Sequence, residues 1–223
     1  MNQETWSEVD HYVTDVLGLT DDVLESTQKA CDDAGLPAIA VSVPQGKFLY
    51  QLARIRGARR ILEIGTLGGY STIWMARALP ADGKLITLEI DKKHADVARE
   101  NIARAGFSDR ADVRLGAAIE ELPKIAAENQ GPFDFVFIDA DKPSIPDYFT
   151  WSLKMSRAGT VIVVDNVVRE GAVIDSESED PAVRGVRRLN DMLAREKRVT
   201  ATTLQTVGTK GYDGFTVILV ESL

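Results

Sequence analysis

ILEIGTLGGYST, residues 61–72, decides how this chain folds. Ile61, Leu62 and Ile64 form a short apolar run broken by one carboxylate, Glu63, and a glycine turn follows at Gly65, Gly68 and Gly69. The next residues, STIWMARAL, carry helical spacing. Strand, glycine turn and helix in that order build a small-molecule pocket at the carboxyl end of a strand in an open α/β sheet. Glycine serves there because it takes positive φ without strain and lets a ligand approach the backbone. A tight turn with no ligand would use the same residues.

The spacing excludes two ligand classes. Counting from Gly65, a G-x-G-x-x-G dinucleotide fingerprint fails at Leu67 and Tyr70, and the chain has no G-x-x-x-x-G-K-[ST] phosphate loop. What remains is E-x-G-x-x-G-G, which resembles the first motif of class I S-adenosylmethionine-dependent methyltransferases.

Outward from this stretch, the pattern predicts five strands in the order expected of alternating β and α units. They are 61–64, GKLITLEID (83–91), ADVRLGAA (111–118), PFDFVFIDADK (132–142) and GTVIVVDNVV (159–168), the last almost wholly β-branched and so expected to be buried on both faces. Helices are predicted at 91–105, 119–129, 145–157 and 181–196, with a polar loop over 169–180. VTATTLQTV and GFTVILVE flank the glycine-bearing GTKGYD, which signals a hairpin that adds antiparallel strands. Ahead of the first strand, a helix over 3–18 places Trp6, Val9, Val13, Val16 and Leu17 on one face, and a second over 21–34 stops at Gly35. Pro44 interrupts the apolar stretch that follows, and a helix over 45–55 leads into the first strand. The expectation is a single domain over residues 1–223, with N-terminal helices in 1–35 that cap the pocket, meet a second subunit or simply pack on the sheet. Residues 36–223 form the α/β core.

Bulk composition narrows the function classes. The 223 residues are 44% hydrophobic and 27% charged, as suits a soluble globular domain. Twenty-six basic against 34 acidic side chains leave a net charge of -8, which disfavours a phosphate backbone as substrate. One cysteine, Cys31, rules out an intramolecular disulfide. The acidic N-terminus does not read as a signal peptide, and no run of about 18 apolar residues appears. These features predict a cytoplasmic protein with no membrane span.

The candidate chemistry gathers at strand ends. Glu89 closes the second strand about 20 residues past the glycine turn, where a carboxylate accepts from a ribose hydroxyl pair. Gly116, Ala117 and Ala118 are small enough for a flat ring such as adenine to lie on the backbone. Asp139 and Asp141 end the fourth strand, and Asp165 with Asn166 ends the fifth. Two carboxylates and an amide oxygen are a hard oxygen set suited to Mg²⁺, Ca²⁺ or Mn²⁺ and leave about three of six octahedral positions open. The two histidines, His11 and His94, and the lone cysteine lack zinc-ligand spacing. Acids at strand ends also serve as helix caps, so each alone carries little.

Together, GLPAIAVSVPQGKFL, LEIGTLGGYSTIWMARALP, GKLITLEID, FDFVFIDADK, VIVVDNVVREGAV and KGYDGF resemble the divalent-metal-dependent O-methyltransferases of the catechol and caffeoyl-CoA type, bacterial members above all. FIDADK followed by VVDN, with Asp165 26 residues after Asp139, is the specific pair. The resemblance runs from about Gly35 to the C-terminus. It implies a Rossmann-like class I methyltransferase fold, a mostly parallel seven-stranded sheet with a C-terminal antiparallel hairpin. It also implies methyl transfer from S-adenosylmethionine to a hydroxyl of a small catechol-like acceptor chelated by a divalent metal, Mg²⁺ above Ca²⁺ or Mn²⁺. By resemblance, Asp139, Asp165 and Asn166 hold the metal. Glu63, Gly65, Thr66 and Ser71 surround the methionine portion of the cofactor, Glu89 takes the ribose, Ala118 lies by the adenine, and Val43 and Asp141 complete the pocket. Lys142 falls where the family places a candidate general base, beside Asp139. Family members of this size imply a homodimer. VVREG after the Asp-Asn pair departs from the plant acceptor-binding stretch, so acceptor identity does not carry over. An idle S-adenosylmethionine-binding scaffold and a methyltransferase acting on RNA are the alternatives.

Overall fold

A computed structural model describes residues 2–222. Seven strands form one sheet in the order β3-β2-β1-β4-β5-β7-β6. The strands are β1 (Arg60–Ile64), β2 (Lys84–Glu89), β3 (Ala111–Leu115), β4 (Phe135–Ile138), β5 (Val161–Asp165), β6 (Val199–Gly208) and β7 (Gly211–Val220). β1 to β5 run parallel, and β7 pairs antiparallel with both β5 and β6 across the tight turn at Thr209 and Lys210. The expected hairpin therefore closes the sheet.

Chain direction sets where the site lies. From β1 the chain winds outward through β2 and β3, then returns to β4 on the other side of β1. The strand ends splay at that reversal, and register brings Ile64 level with Leu88 and Ile138, and Ile138 level with Val164. Gly65, Glu89, Gly116, Asp139 and Asp165 consequently share one sheet edge.

Alternation along the strands divides the core. Ile61, Phe135 and Phe137 face α3 (Val43–Arg56), α4 (Tyr70–Ala76) and α5 (Lys92–Arg104), with Leu49, Ile73 and Ile102 packed on them. Leu62, Ile64, Val136 and Ile138 face α6 (Ala118–Ala127), α7 (Ile145–Lys154) and α8 (Pro181–Arg195), with Leu122, Phe149 and Leu189. Both faces are covered, so β4 reads as a continuous apolar run and β1 as one broken only by the buried Glu63 after Arg60 at its start.

The N-terminal helices differ from each other. α2 (Asp22–Asp33) buries Leu24 and Thr27 and ends as expected: Gly35 takes φ +64, and the Gly35 and Leu36 N–H groups return to Asp32 and Cys31 carbonyls. α1 (Gln3–Leu17) buries no residue, and Val9, Val16 and Leu17 of its apolar stripe are exposed. It is tied to the sheet edge by polar contacts, Gln3 Nε2 to the Gly208 carbonyl at 2.8 Å and the Thr209 N–H to Asp10 at 2.8 Å.

Among the boundaries that depart from expectation, three have clear local reasons. α3 begins at Val43 rather than Gln45, because Pro44 occupies its first turn and Ser42 Oγ caps it by accepting from Gln45 N at 3.3 Å. β4 is only four residues long, because the Asp134 carboxylate before it is committed to the Arg59 and Arg60 N–H groups at 2.8 and 3.0 Å. The polar 169–180 segment contains 3-10 turns over Arg169–Ile174, with Val173 packed against the core.

Candidate active site

Gly65 opens the site. It takes φ +100, and a Cβ there would collide with the Asp139 carbonyl, so only glycine lets β1 and β4 end side by side. The turn beyond it is held from β2. Glu89 Oε2 accepts from Leu67 N at 2.7 Å and Thr66 N at 3.3 Å, and Oε1 accepts from Asp91 N at 2.9 Å. Thr66 Oγ1 and Thr87 Oγ1 meet at 2.5 Å. These contacts hold Leu67 at φ +51, a conformation uncommon for a branched side chain.

The edge surrounds a cavity of about 740 Å³, within the range of small-molecule sites. Gly65, Thr66, Ser71, Glu89, Ala118, Asp139, Asp141, Lys142 and Asn166 line it, so most residues singled out from sequence come together in one wall. Three do not. Val43 is the first residue of α3 and lies outside the lining; Val41, two residues earlier and 5% exposed, holds the wall position instead. Glu63 is fully buried behind the wall, where Ser71 Oγ donates to Oε1 at 2.5 Å and Thr72 Oγ1 donates to Oε2. Its place follows from strand alternation, which puts it on the Ile61 face under α4. Burial pushes its carboxyl up to about 7, against the opposing pull of the hydroxyl donors. Asp165 is also sunk below the lining, 5% exposed.

Asp139, Asp165 and Asn166 form the acidic corner. Asp165 Oδ1 accepts the Asn166 N–H at 2.8 Å and Oδ2 accepts from Gln45 Nε2 of α3 at 2.7 Å. Asn166 takes φ +55, which asparagine tolerates. Burial first, then the charge of Asp139, pushes the Asp165 carboxyl up to about 7. Lys142 Nζ donates to Asp139 Oδ1 at 2.9 Å. Lys142 starts a 3-10 turn (Lys142–Ser144) pressed so close to α8 that a Cβ at Gly185 would strike its carbonyl. Two mutually repelling carboxylates beside an amide side chain, one carboxylate buried at a cost, suit a hard dication. Among the described residues no group of three or more His, Cys, Asp or Glu could hold a metal.

Sequence reasoning missed several wall residues. Ile90 and Ile119 are 73% and 43% exposed and flank the Glu89 and Ala118 end, giving it an apolar surface for a flat ring. Their exposure despite apolar character is legible only once the strand ends are placed. Cys31 of α2 and Ile39 of the α2–α3 connection also line the cavity, so the N-terminal segment contributes to its wall. Tyr148 lines it from α7, its hydroxyl donating to Asp141 Oδ1.

Comparison with known proteins agrees with this architecture. The O-methyltransferase family model matches residues 15–219. A catechol O-methyltransferase of Niastella koreensis is 54% identical, with 99% of this chain and 100% of that one aligned, and a catechol O-methyltransferase of Mycobacterium tuberculosis is 48% identical over 96% of each. Among solved structures, the O-methyltransferase from Bacillus cereus in complex with SAH superposes with a TM-score of 0.97 at 57% identity, covering 99% of this chain and 100% of that one. TomG from Streptomyces achromogenes, an O-methyltransferase involved in tomaymycin synthesis and solved in complex with SAM, gives 0.96 at 53% identity over the whole of both chains. The sheet order and the antiparallel C-terminal pair are those of the class I methyltransferase fold, and the chain belongs to the O-methyltransferase family.

Proposed function

We propose that this chain transfers a methyl group from S-adenosylmethionine to a hydroxyl of a small catechol-like acceptor bound through a divalent metal, Mg²⁺ above Ca²⁺ or Mn²⁺. The observation that carries the reading is a single cavity with an apolar end beside Glu89 and Ala118 and, at its other side, Asp139 and Asn166 in the wall with Asp165 buried just below it. The 54% identical relative is named a catechol O-methyltransferase, and two close structural neighbours hold SAH or SAM.

Each part of the wall has a task. Glu89 retains about one lone-pair position, on Oε1, for a ribose hydroxyl while it pins the Thr66–Leu67 turn. Ala118, Ile90 and Ile119 offer the adenine a flat apolar seat. Gly65, Thr66 and Ser71 bound the methionine portion. Glu63 acts from behind, fixing Ser71 and Thr72 at the start of α4. Asp139, Asp165 and Asn166 would hold the dication, which supplies Lewis acidity that favours the phenolate of a bound diol at neutral pH. In the transfer the S–CH₃ bond breaks and an O–CH₃ bond forms, and the hydroxyl proton must leave. Lys142 Nζ, bonded into this corner through Asp139, is the candidate to accept it, a role open only to its neutral amine form. Holding acceptor oxygen and methyl donor in one cavity removes the entropy of their encounter, the largest single contribution expected here.

Among the described residues no helix is long and apolar enough to cross a membrane, and a net charge of -8 argues against a nucleic-acid acceptor. The exposed stripe of α1 supports a second copy of the chain as partner. The roles separate in one variant: Asp165→Ala abolishes metal-dependent turnover and leaves S-adenosylmethionine affinity by calorimetry at the wild-type value. Equal loss of both contradicts the assignment.

A further inference from the structure

Tyr148 sits on the first turns of α7, 4% exposed, its ring packed in the core beneath the sheet and its hydroxyl at the cavity wall. The hydroxyl donates to Asp141 Oδ1, and Asp141 Oδ2 accepts from Ser144 N at 3.2 Å. An ionised carboxylate offers about four lone-pair positions, so two stay open on a side chain that lines the cavity. Burial, then the neighbouring Asp141 charge, hold the Tyr148 hydroxyl well above the ordinary phenol range, so it remains a donor.

The other carboxylates are occupied differently. Glu63 is closed over by Ser71 and Thr72, Asp139 is paired with Lys142, and Glu89 is drawn onto the backbone of residues 66, 67 and 91. Asp141 is committed only to neutral donors and, unlike Glu63 and Asp165, lines the cavity, with more lone-pair positions open than Glu89, which already accepts three N–H groups. The methyl donor assigned to this cavity carries one unpaired cation at its amino-acid end, the α-ammonium.

We propose that Tyr148 is a positioning residue for the donor's α-ammonium: its hydroxyl fixes the Asp141 carboxylate so that the open lone pairs meet that cation. This rests on the cavity being the S-adenosylmethionine site. A carboxylate so held needs no reordering when the ligand arrives, which preserves affinity that a freely rotating Asp141 would lose.

Removing the amino-acid end of the ligand separates this role from simple packing. Calorimetry is run with S-adenosylhomocysteine and with 5′-methylthioadenosine, which keeps the nucleoside and sulfur and lacks the ammonium. Tyr148→Phe keeps the packed ring and loses only the hydroxyl. The expected result is about tenfold weaker S-adenosylhomocysteine binding with methylthioadenosine binding unchanged. Asp141→Asn shows the same selectivity, and the double variant is no weaker than Asp141→Asn, because both act through one contact. A Tyr148→Phe protein that binds both ligands as wild type does, or loses both equally, overturns the role of Tyr148. If Asp141→Asn is selective and Tyr148→Phe is not, only Tyr148 is misassigned. Asp141→Asn that keeps full affinity for S-adenosylhomocysteine overturns the ammonium site itself, and failure of wild type to bind either ligand overturns the cavity's assignment.

Discussion

Glu63→Gln should flatten the pH dependence of this protein's stability. Glu63 is fully buried, and its carboxyl is displaced from the usual 4.5 to about 7 because burial penalises the charged form more than the Ser71 and Thr72 hydroxyls compensate. A folded-state pKa above the unfolded one means the native protein binds more protons between those values. The stabilisation is therefore complete below about pH 4.5 and is lost as pH rises towards about 7. The whole effect is about 3 kcal/mol, of which about 2.5 kcal/mol develops between pH 5 and pH 8. Asp165 titrates in the same direction, so the wild-type curve alone does not isolate Glu63. Glutamine keeps the shape, carries no charge and retains an oxygen to accept one hydroxyl. The assay is urea unfolding of ligand-free, metal-free wild type and Glu63→Gln across that range. The expected difference between the two proteins shifts by about 2.5 kcal/mol in favour of the variant as pH rises. A difference constant with pH, or one that shifts in favour of wild type, refutes the argument that Glu63 is a buried, reluctantly charged anchor.

Glu89→Ala should do the reverse of Asp165→Ala. It removes the acceptor for a ribose hydroxyl and frees the Thr66–Leu67 turn, so calorimetry should show S-adenosylmethionine affinity falling more than tenfold, about 1.4 kcal/mol or more, with Mn²⁺ binding retained. Gln45→Ala leaves Asp165 Oδ2 without its side-chain donor. Partners of ligating carboxylates typically tune metal affinity by about 10 to 100-fold, and a titration with Mn²⁺ followed by electron paramagnetic resonance reads that loss directly.

Much of this was legible because the fold and the ligand make demands that leave local marks. Gly65 is required where β1 meets the Asp139 backbone, and Glu89, Asp139 and Asp165 are recognisable as acids that end apolar strands. Parallel register then gathers them without further information. What escaped the sequence depends on three-dimensional phase. Val43 and Val41 are equally apolar, and only the Ser42 cap and Pro44, by starting α3 at Val43, decide that Val41 faces the cavity. Glu63 reads as a pocket acid, yet strand alternation turns it under α4. Gln45 and Tyr148 reach their carboxylates across 120 and seven residues, the first by tertiary packing and the second through a 3-10 turn that resets the helix phase. The stripe on α1 has regular helical spacing and still lies open, because spacing reports a face and not what covers it.

The most direct test of the account is methyl transfer from S-adenosylmethionine to a panel of catechols and matched monophenols, with Mg²⁺ present and after EDTA. The account predicts mono-methylation of vicinal diols that EDTA abolishes and Mg²⁺ restores, with monophenols inert. Methylation of catechol and monophenol alike, undiminished by EDTA, would contradict it.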